Sequence, residues 1–312
     1  MTHSRWLAYA QLLRLPNVFT AFADIALGVM VFEALATEGA ERSWLAWAGL
    51  FVASGSLYLA GMVWNDIFDR HEDARTRPQR PLPSRRVSVR TAVLLGSGLL
   101  ITGIAAAWRV AAGEGRSLAV GLEHPGWIAT FLAVLIMLYD GVWKATWLGP
   151  WLMGGCRFGN VLLGVSLIPG DTLPWPWRLH LAAVVGLYIV GVTWLARREE
   201  GRSEPGQLRV AAALIAGALL LALILRARLP EQSGSVLFPY LLAALGVYLG
   251  DALMTAIRQP HPPVVQAAVT RCLRGLVLLD AVLAVAFVGL PGLILLFLLL
   301  PAIWLGKWVY AT

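Results

Sequence analysis

Between positions 65 and 86 the chain reads Asn65-Asp66-Ile67-Phe68-Asp69-Arg70-His71-Glu72-Asp73, then Arg75, Arg77-Pro78, Arg80-Pro81-Leu82-Pro83-Ser84 and Arg85-Arg86. If a helix continues through the first part, Asn65, Asp69 and Asp73 stand at i, i+4 and i+8, one above another on a single face. Oxygen-bearing side chains at that pitch repel one another without a cation. Mg²⁺ accepts such donors, typically a few carboxylates completed by water and substrate phosphate. The arginines just beyond grip phosphate bidentately, so acids beside arginines describe a diphosphate site better than either charge set alone. A solvated, charge-balanced loop is the plainer reading of such a segment. What sets this one apart is the ordered string NDxxDxxxD followed by RPxxRPL.

The elements that must hold these residues are apolar. Of 312 residues, 58% are hydrophobic and 14% charged, whereas soluble chains are about a quarter charged. A disordered chain and a water-soluble domain are both excluded. Apolar stretches lie near 17–35, 44–64, 90–108, 126–143, 150–169, 179–196, 208–225, 236–257, 273–289 and 291–309, and about 20 residues suffice to cross a bilayer core. From Gly275 to Gly306 the only charge is Asp280; as one helix this segment would reach about 48 Å, so Gly289, Pro291 and Gly292 are expected to break it into a hairpin. The reading is a single all-α domain over 1–312, a polytopic membrane bundle of nine to ten transmembrane helices.

With ten spans, the side holding the N-terminus and the acidic segment carries 18 Lys and Arg against 6 on the other, with Arg157 inside a span. Lys and Arg are retained on the cytoplasmic face, which places the acidic segment there, in what is expected to be a bacterial cell membrane. The net charge of +7 therefore reflects orientation, and no nucleic-acid partner is expected. Trp44, Trp64, Trp108, Trp127, Trp143, Trp194, Trp304 and Trp308 fall near span ends, where indole prefers the interface. Cys156 and Cys272 form no metal-ligand spacing, and no disulfide, zinc site or removable leader is expected.

Five charges fall within or near the ends of spans: Asp24, Asp140, Arg157, Asp251 and Asp280. Such groups are costly unless paired or facing a wet cavity, so they are expected to point inward, Asp251 and Asp280 as structural groups. Arg157 and Asn160, three apart, share a helical face; they either line the site or join helices. His71 and His261 read as loop residues. An LYxxGxxW pattern at Leu57, Tyr58, Gly61 and Trp64 returns at Leu187, Tyr188, Gly191 and Trp194. Used twice, such a unit would bring both helix ends to a shared cavity.

At NDxxDxxxD and RPxxRPL the sequence resembles the UbiA superfamily of intramembrane prenyltransferases, through Asn65, Asp66, Asp69, Asp73, Arg77, Pro78, Arg80, Pro81 and Leu82. Leu13-Arg14-Leu15-Pro16-Asn17 resembles that family's lead-in to the first span, and Tyr139, Lys144 and Asn160 fall where its fourth and fifth helices carry such residues. The resemblance implies that Mg²⁺ binds a prenyl diphosphate, whose allylic C–O bond ionises for capture by an aromatic or lipid-like acceptor. It implies Asn65, Asp69 and Asp73 as metal ligands and, with Lys144, as the catalytic set. The expected substrate contacts are Asp66, Arg77, Arg80, Tyr139, Arg157, Asn160, Arg197, Arg198 and Glu199. The family's second aspartate motif is not kept: Trp194-Leu195-Ala196-Arg197-Arg198-Glu199-Glu200-Gly201-Arg202-Ser203 stands in its place. Glu199 and Glu200 remain as acidic ligands there, or Arg197 and Arg198 replace a cation outright.

That departure leaves a rival, a UbiA-like protein that binds or transports a lipid diphosphate without reacting. A secondary transporter would show charges and broken helices near mid-bilayer, whereas the main acidic cluster lies at a span end. The DGxxAR-type pattern of CDP-alcohol phosphotransferases is absent.

Overall fold

The computed structural model describes residues 5–36, 43–116, 121, 123–197, 203–228 and 235–310. Among them the chain is all helix: α1 (Arg5–Leu12), α2 (Val18–Leu35), α3 (Trp44–Thr76), α4 (Val89–Gly113), α5 (Pro125–Leu138), α6 (Gly149–Gly164), α7 (Trp175–Ala196), α8 (Pro205–Arg228), α9 (Phe238–Arg258), α10 (Pro262–Val288) and α11 (Leu299–Tyr310). Every apolar stretch of the sequence is helical over most of its length. Among the described residues, eight segments are long and apolar enough to cross a membrane. Of the remaining two stretches, α6 has only 16 residues, and α10 carries Arg271, Arg274 and Asp280.

Consecutive helices from α2 to α10 pack as neighbours and α10 returns against α2, closing a ring, while α2–α6 and α7–α10 contacts fill its interior. The crossing of α2 and α6 inside the ring depends on small residues. A Cβ added to Gly28 on α2 would lie 2.1 Å from the Gly164 carbonyl oxygen on α6, so only glycine permits that approach, as at small-residue crossings in membranes. The expected break after α10 is real: Gly289 adopts φ +69, and a 3-10 segment, Leu290–Leu298, leads into α11.

Two local features aim the site. Ser43 caps α3, accepting from the Ala46 amide at 3.3 Å, and α3 then continues unbroken for 33 residues, carrying the acidic row past the apolar part of the helix. At the end of α5 the chain widens into a π turn, Tyr139–Trp143, in which the Lys144 amide donates to Tyr139 O at 2.9 Å. Such turns recur at functional sites because they redirect side chains.

Candidate functional site: the acidic mouth and polar floor of a central cavity

The helix assumed for the acidic segment exists, and it splits that segment by face. Asn65 and Asp69 line a cavity of 1610 Å³ between the helices. Lys144, delivered by the π turn, donates from Nζ to Asn65 Oδ1 at 2.7 Å and to Asp69 Oδ2. Asn65 Nδ2 donates to the same Asp69 oxygen at 3.3 Å. Two side-chain oxygens from successive turns of α3 thus converge on one positive charge. Asp73, a turn further, also lines the cavity but is held by Arg80 Nη1 at 2.7 Å.

Asp66 behaves differently. It is buried, accepts from Arg14 Nη2 at 3.0 Å and lies 3.6 Å from Arg80 Nη1. The substrate contact expected of it is not what the structure brings together: Asp66 is absent from the cavity wall and ties three segments. Arg14 sits in the left-handed region, φ 45, between α1 and the lead-in to α2. The segment after α3 is folded on itself, Ser84 Oγ donating to Arg80 O at 2.6 Å and Arg86 Nη2 to Gln79 O at 2.7 Å. These bonds place Arg77 and Arg80 at the mouth.

From the opposite wall come Tyr139, buried Asp140 and Arg197. Arg197, at the end of α7, donates to Thr146 O at 3.1 Å and lies 5.2 Å over the Trp194 ring. The ends of α3 and α7 therefore do face one cavity. Their tyrosines do not match: Tyr58 lines the cavity, whereas Tyr188 is buried and donates to Cys272 O at 2.7 Å, joining α7 to α10. Arg198, Glu199 and Glu200 lie outside the described residues.

Deeper, the Arg157–Asn160 face forms a polar floor. Arg157 Nη1 donates to Asp24 Oδ2 at 3.1 Å and Nη2 to Thr20 Oγ1. Asn160 Nδ2 donates to Asp24 at 2.7 Å, and its oxygen accepts from Ser54 Oγ at 2.7 Å. Arg157 and Asn160 join α2, α3 and α6 and also line the cavity. Sequence reasoning placed Asp24 inward but missed its partners and missed Tyr58, over whose ring Arg157 lies at 5.4 Å. The spacing of Thr20 and Asp24, i and i+4 on an apolar helix, was the available signal. The inward placement fails for Asp251, whose side chain is 69% exposed and pairs with Arg271 on the outer face of α9 and α10 at 2.7 Å. The pair meets the cost of a charge at that position by neutralisation.

The residues at the mouth fit a divalent ion. Among the described residues no three His, Cys, Asp or Glu side chains form a ready cage. Mg²⁺ is usually held instead by one or two carboxylates plus substrate phosphates and water, and here an amide oxygen and a carboxylate already point at a common cation. Asn65 and Asp69 would hold it, with Asp73 in reach once Arg80 turns to an anion.

The family model described as the UbiA prenyltransferase family matches residues 25–255. A digeranylgeranylglyceryl phosphate synthase of Methanopyrus kandleri is 31% identical over 245 residues, 76% of this chain and 83% of that one. A protein of the same name from Methanosarcina mazei is 29% identical over 167 residues, 51% of this chain and 54% of that one. A solved structure, described by its work on digeranylgeranylglyceryl phosphate synthase in membranes, superposes with a TM-score of 0.65 at 18% identity, covering 92% of this chain and 99% of the other. That likeness shows the fold.

Proposed function

Because the chain belongs to the UbiA prenyltransferase family, we propose that it moves a prenyl group from a prenyl diphosphate, bound at the cavity mouth with Mg²⁺, to a lipid-like acceptor drawn from the bilayer. The observation that carries this reading is the convergence of Asn65 and Asp69 oxygens on one cation at the rim of a large, half-open cavity between the helices. The name of these relatives describes a glycerol phosphate bearing two prenyl groups, which favours an alcohol over an aromatic ring as the nucleophile.

The reaction needs the allylic C–O bond to break with its electron pair leaving on the diphosphate. The acceptor oxygen then bonds to the freed carbon and loses its proton to water or to the departing diphosphate. Bound Mg²⁺ supplies charge stabilisation of that leaving group. Lys144, Arg77, Arg80 and Arg197 supply further positive charge around it, aimed from fixed backbone positions. Leu57, Ile136, Met153 and Val192 wall the cavity below and keep water from the electron-deficient carbon. The basic side of the bundle, and with it the mouth, is read as cytoplasmic.

The test is incubation of the purified protein in nanodiscs with Mg²⁺, labelled prenyl diphosphates of several lengths and a lipid extract. A new prenylated lipid is expected. Tight diphosphate binding with no product for any length or extract would replace this reading with that of a lipid-diphosphate binding protein.

A further inference from the structure

The cavity wall holds one acid that the mouth does not use. Among the described residues, the carboxyl side chains lining the cavity are Asp69, Glu72, Asp73, Asp140 and Glu204. Asp69 is bonded to Lys144 and Asn65, and Asp73 to Arg80. Glu72 and Glu204 are exposed to water. Asp140 is neither held nor solvated in this way: it is 8% exposed, and no hydrogen bond or ion pair joins its side chain to another described residue. Its oxygens are not sealed in, as Asp24 Oδ1 and both Asp280 oxygens are, so the carboxyl opens on the cavity that this residue lines.

An ionisable group kept in an apolar bundle without a partner is costly. On a helix the ordinary partner of Asp140 would be Lys144, four residues on, yet that ammonium reaches across to Asn65 and Asp69 of α3. The π turn that carries both residues is packed against α3, where a Cβ on Gly141 would lie 3.2 Å from the Phe68 ring. Asp140 is thus fixed about one turn deeper in the bundle than Lys144, on the same wall. Depth decides what it meets. The reacting carbon of a prenyl diphosphate is bonded directly to the diphosphate and therefore lies just inside the charges of the mouth. An acceptor oxygen attacking that carbon arrives at the level of Asp140, and a general base must stand within hydrogen-bond reach of the proton it takes.

We propose that Asp140 is the proton acceptor of the transfer step, its carboxylate accepting a hydrogen bond from the acceptor's hydroxyl and taking that proton as the new bond forms. This rests on the prenyl-transfer reading and deepens it by giving the attacking alcohol a base. An oxygen lone pair closes on the allylic carbon, whose bond to the diphosphate has broken with its electron pair. The O–H electrons stay on the ether oxygen, and the proton passes to Asp140. The departing diphosphate or water then takes it on, restoring the carboxylate for the next turnover.

The test compares the full chain with Asp140→Asn and Asp140→Glu in nanodiscs containing Mg²⁺, with geranyl, farnesyl and geranylgeranyl diphosphate and 1-O-hexadecylglycerol 3-phosphate as acceptor. Asp140→Asn keeps the shape and loses the base, so ether formation is expected to fall by about a hundredfold or more, while binding of inorganic pyrophosphate with Mg²⁺ stays within about twofold. Asp140→Glu is expected to restore part of the loss. Given the 2-thiol analogue of the acceptor, Asp140→Asn is expected to stay within about fivefold of wild type, because a thiol ionises in water without a base. Its unfolding temperature in detergent is expected to be no lower than that of wild type, since the variant removes a buried charge that has no partner. Unchanged ether formation by Asp140→Asn overturns the proposal, as does a lowered unfolding temperature with alcohol and thiol lost equally, which would make Asp140 a structural group. Absence of ether from wild type with all three diphosphates removes the prenyl-transfer reading and this proposal with it; ether from wild type and Asp140→Asn alike removes this proposal alone.

Discussion

The Lys144 ammonium lies 2.7 Å from Asn65 Oδ1 and bonds the Asp69 carboxylate as well, so it occupies the point on which the oxygen donors of α3 converge. A divalent ion held by Asn65 and Asp69 would compete with this ammonium for the same atoms, and the displaced lysine would be free to pair with the diphosphate. Lys144→Ala is therefore expected to raise the affinity of the substrate-free protein for Mn²⁺, measured by electron paramagnetic resonance titration, while turnover falls by about a hundredfold for loss of a cation at the leaving group. Weaker Mn²⁺ binding in this variant would show that the lysine is no placeholder.

Asp66 gathers Arg14 and Arg80 from segments on either side of it in sequence. Removing its charge leaves two part-buried guanidinium groups without their shared partner. Asp66→Asn is expected to cost about 2–3 kcal/mol, less than a fully buried pair because both arginines keep some access to water. Thermal unfolding in detergent reads the loss. A variant as stable as wild type but inactive would assign Asp66 to substrate binding instead.

The acidic row was legible because a single helix fixes it: once α3 continues past Trp64, spacing alone stacks Asn65, Asp69 and Asp73. The same logic found the break at Gly289 and the shared face of Arg157 and Asn160. Spacing along one helix carries no information about other helices. Asp24 and Arg157 are 133 residues apart, and nothing local pairs them. Nor does spacing foresee the π turn that aims Lys144, or that Arg80 would claim Asp73. Asp251 was misplaced because a charge in an apolar stretch can be satisfied outward as well as inward, and Arg271, which satisfies it, sits on the next helix.

Gly28 and Gly164 bring α2 and α6 into backbone contact, and that crossing sets the position of Asp24 against Asn160. Gly28→Ala puts a methyl group within 2.1 Å of a carbonyl oxygen, and backbone must shift to admit it. Overpacking of this kind costs about 1–3 kcal/mol. The expected outcome is a lower unfolding temperature by detergent melt together with loss of product, whereas Gly98→Ala, where a Cβ meets nothing within 4 Å, leaves both near wild type. Equal behaviour of the two variants would remove the crossing from the account.

The central claim is that the α3 oxygens hold a cation against a departing diphosphate. Pyrophosphate release from a labelled prenyl diphosphate, followed in nanodiscs with acceptor lipid present, tests it most directly. The account predicts release that requires Mg²⁺, matches prenylated lipid mole for mole, and falls by about a thousandfold in Asp69→Ala. Release that persists without a divalent ion, or that survives Asp69→Ala, contradicts it.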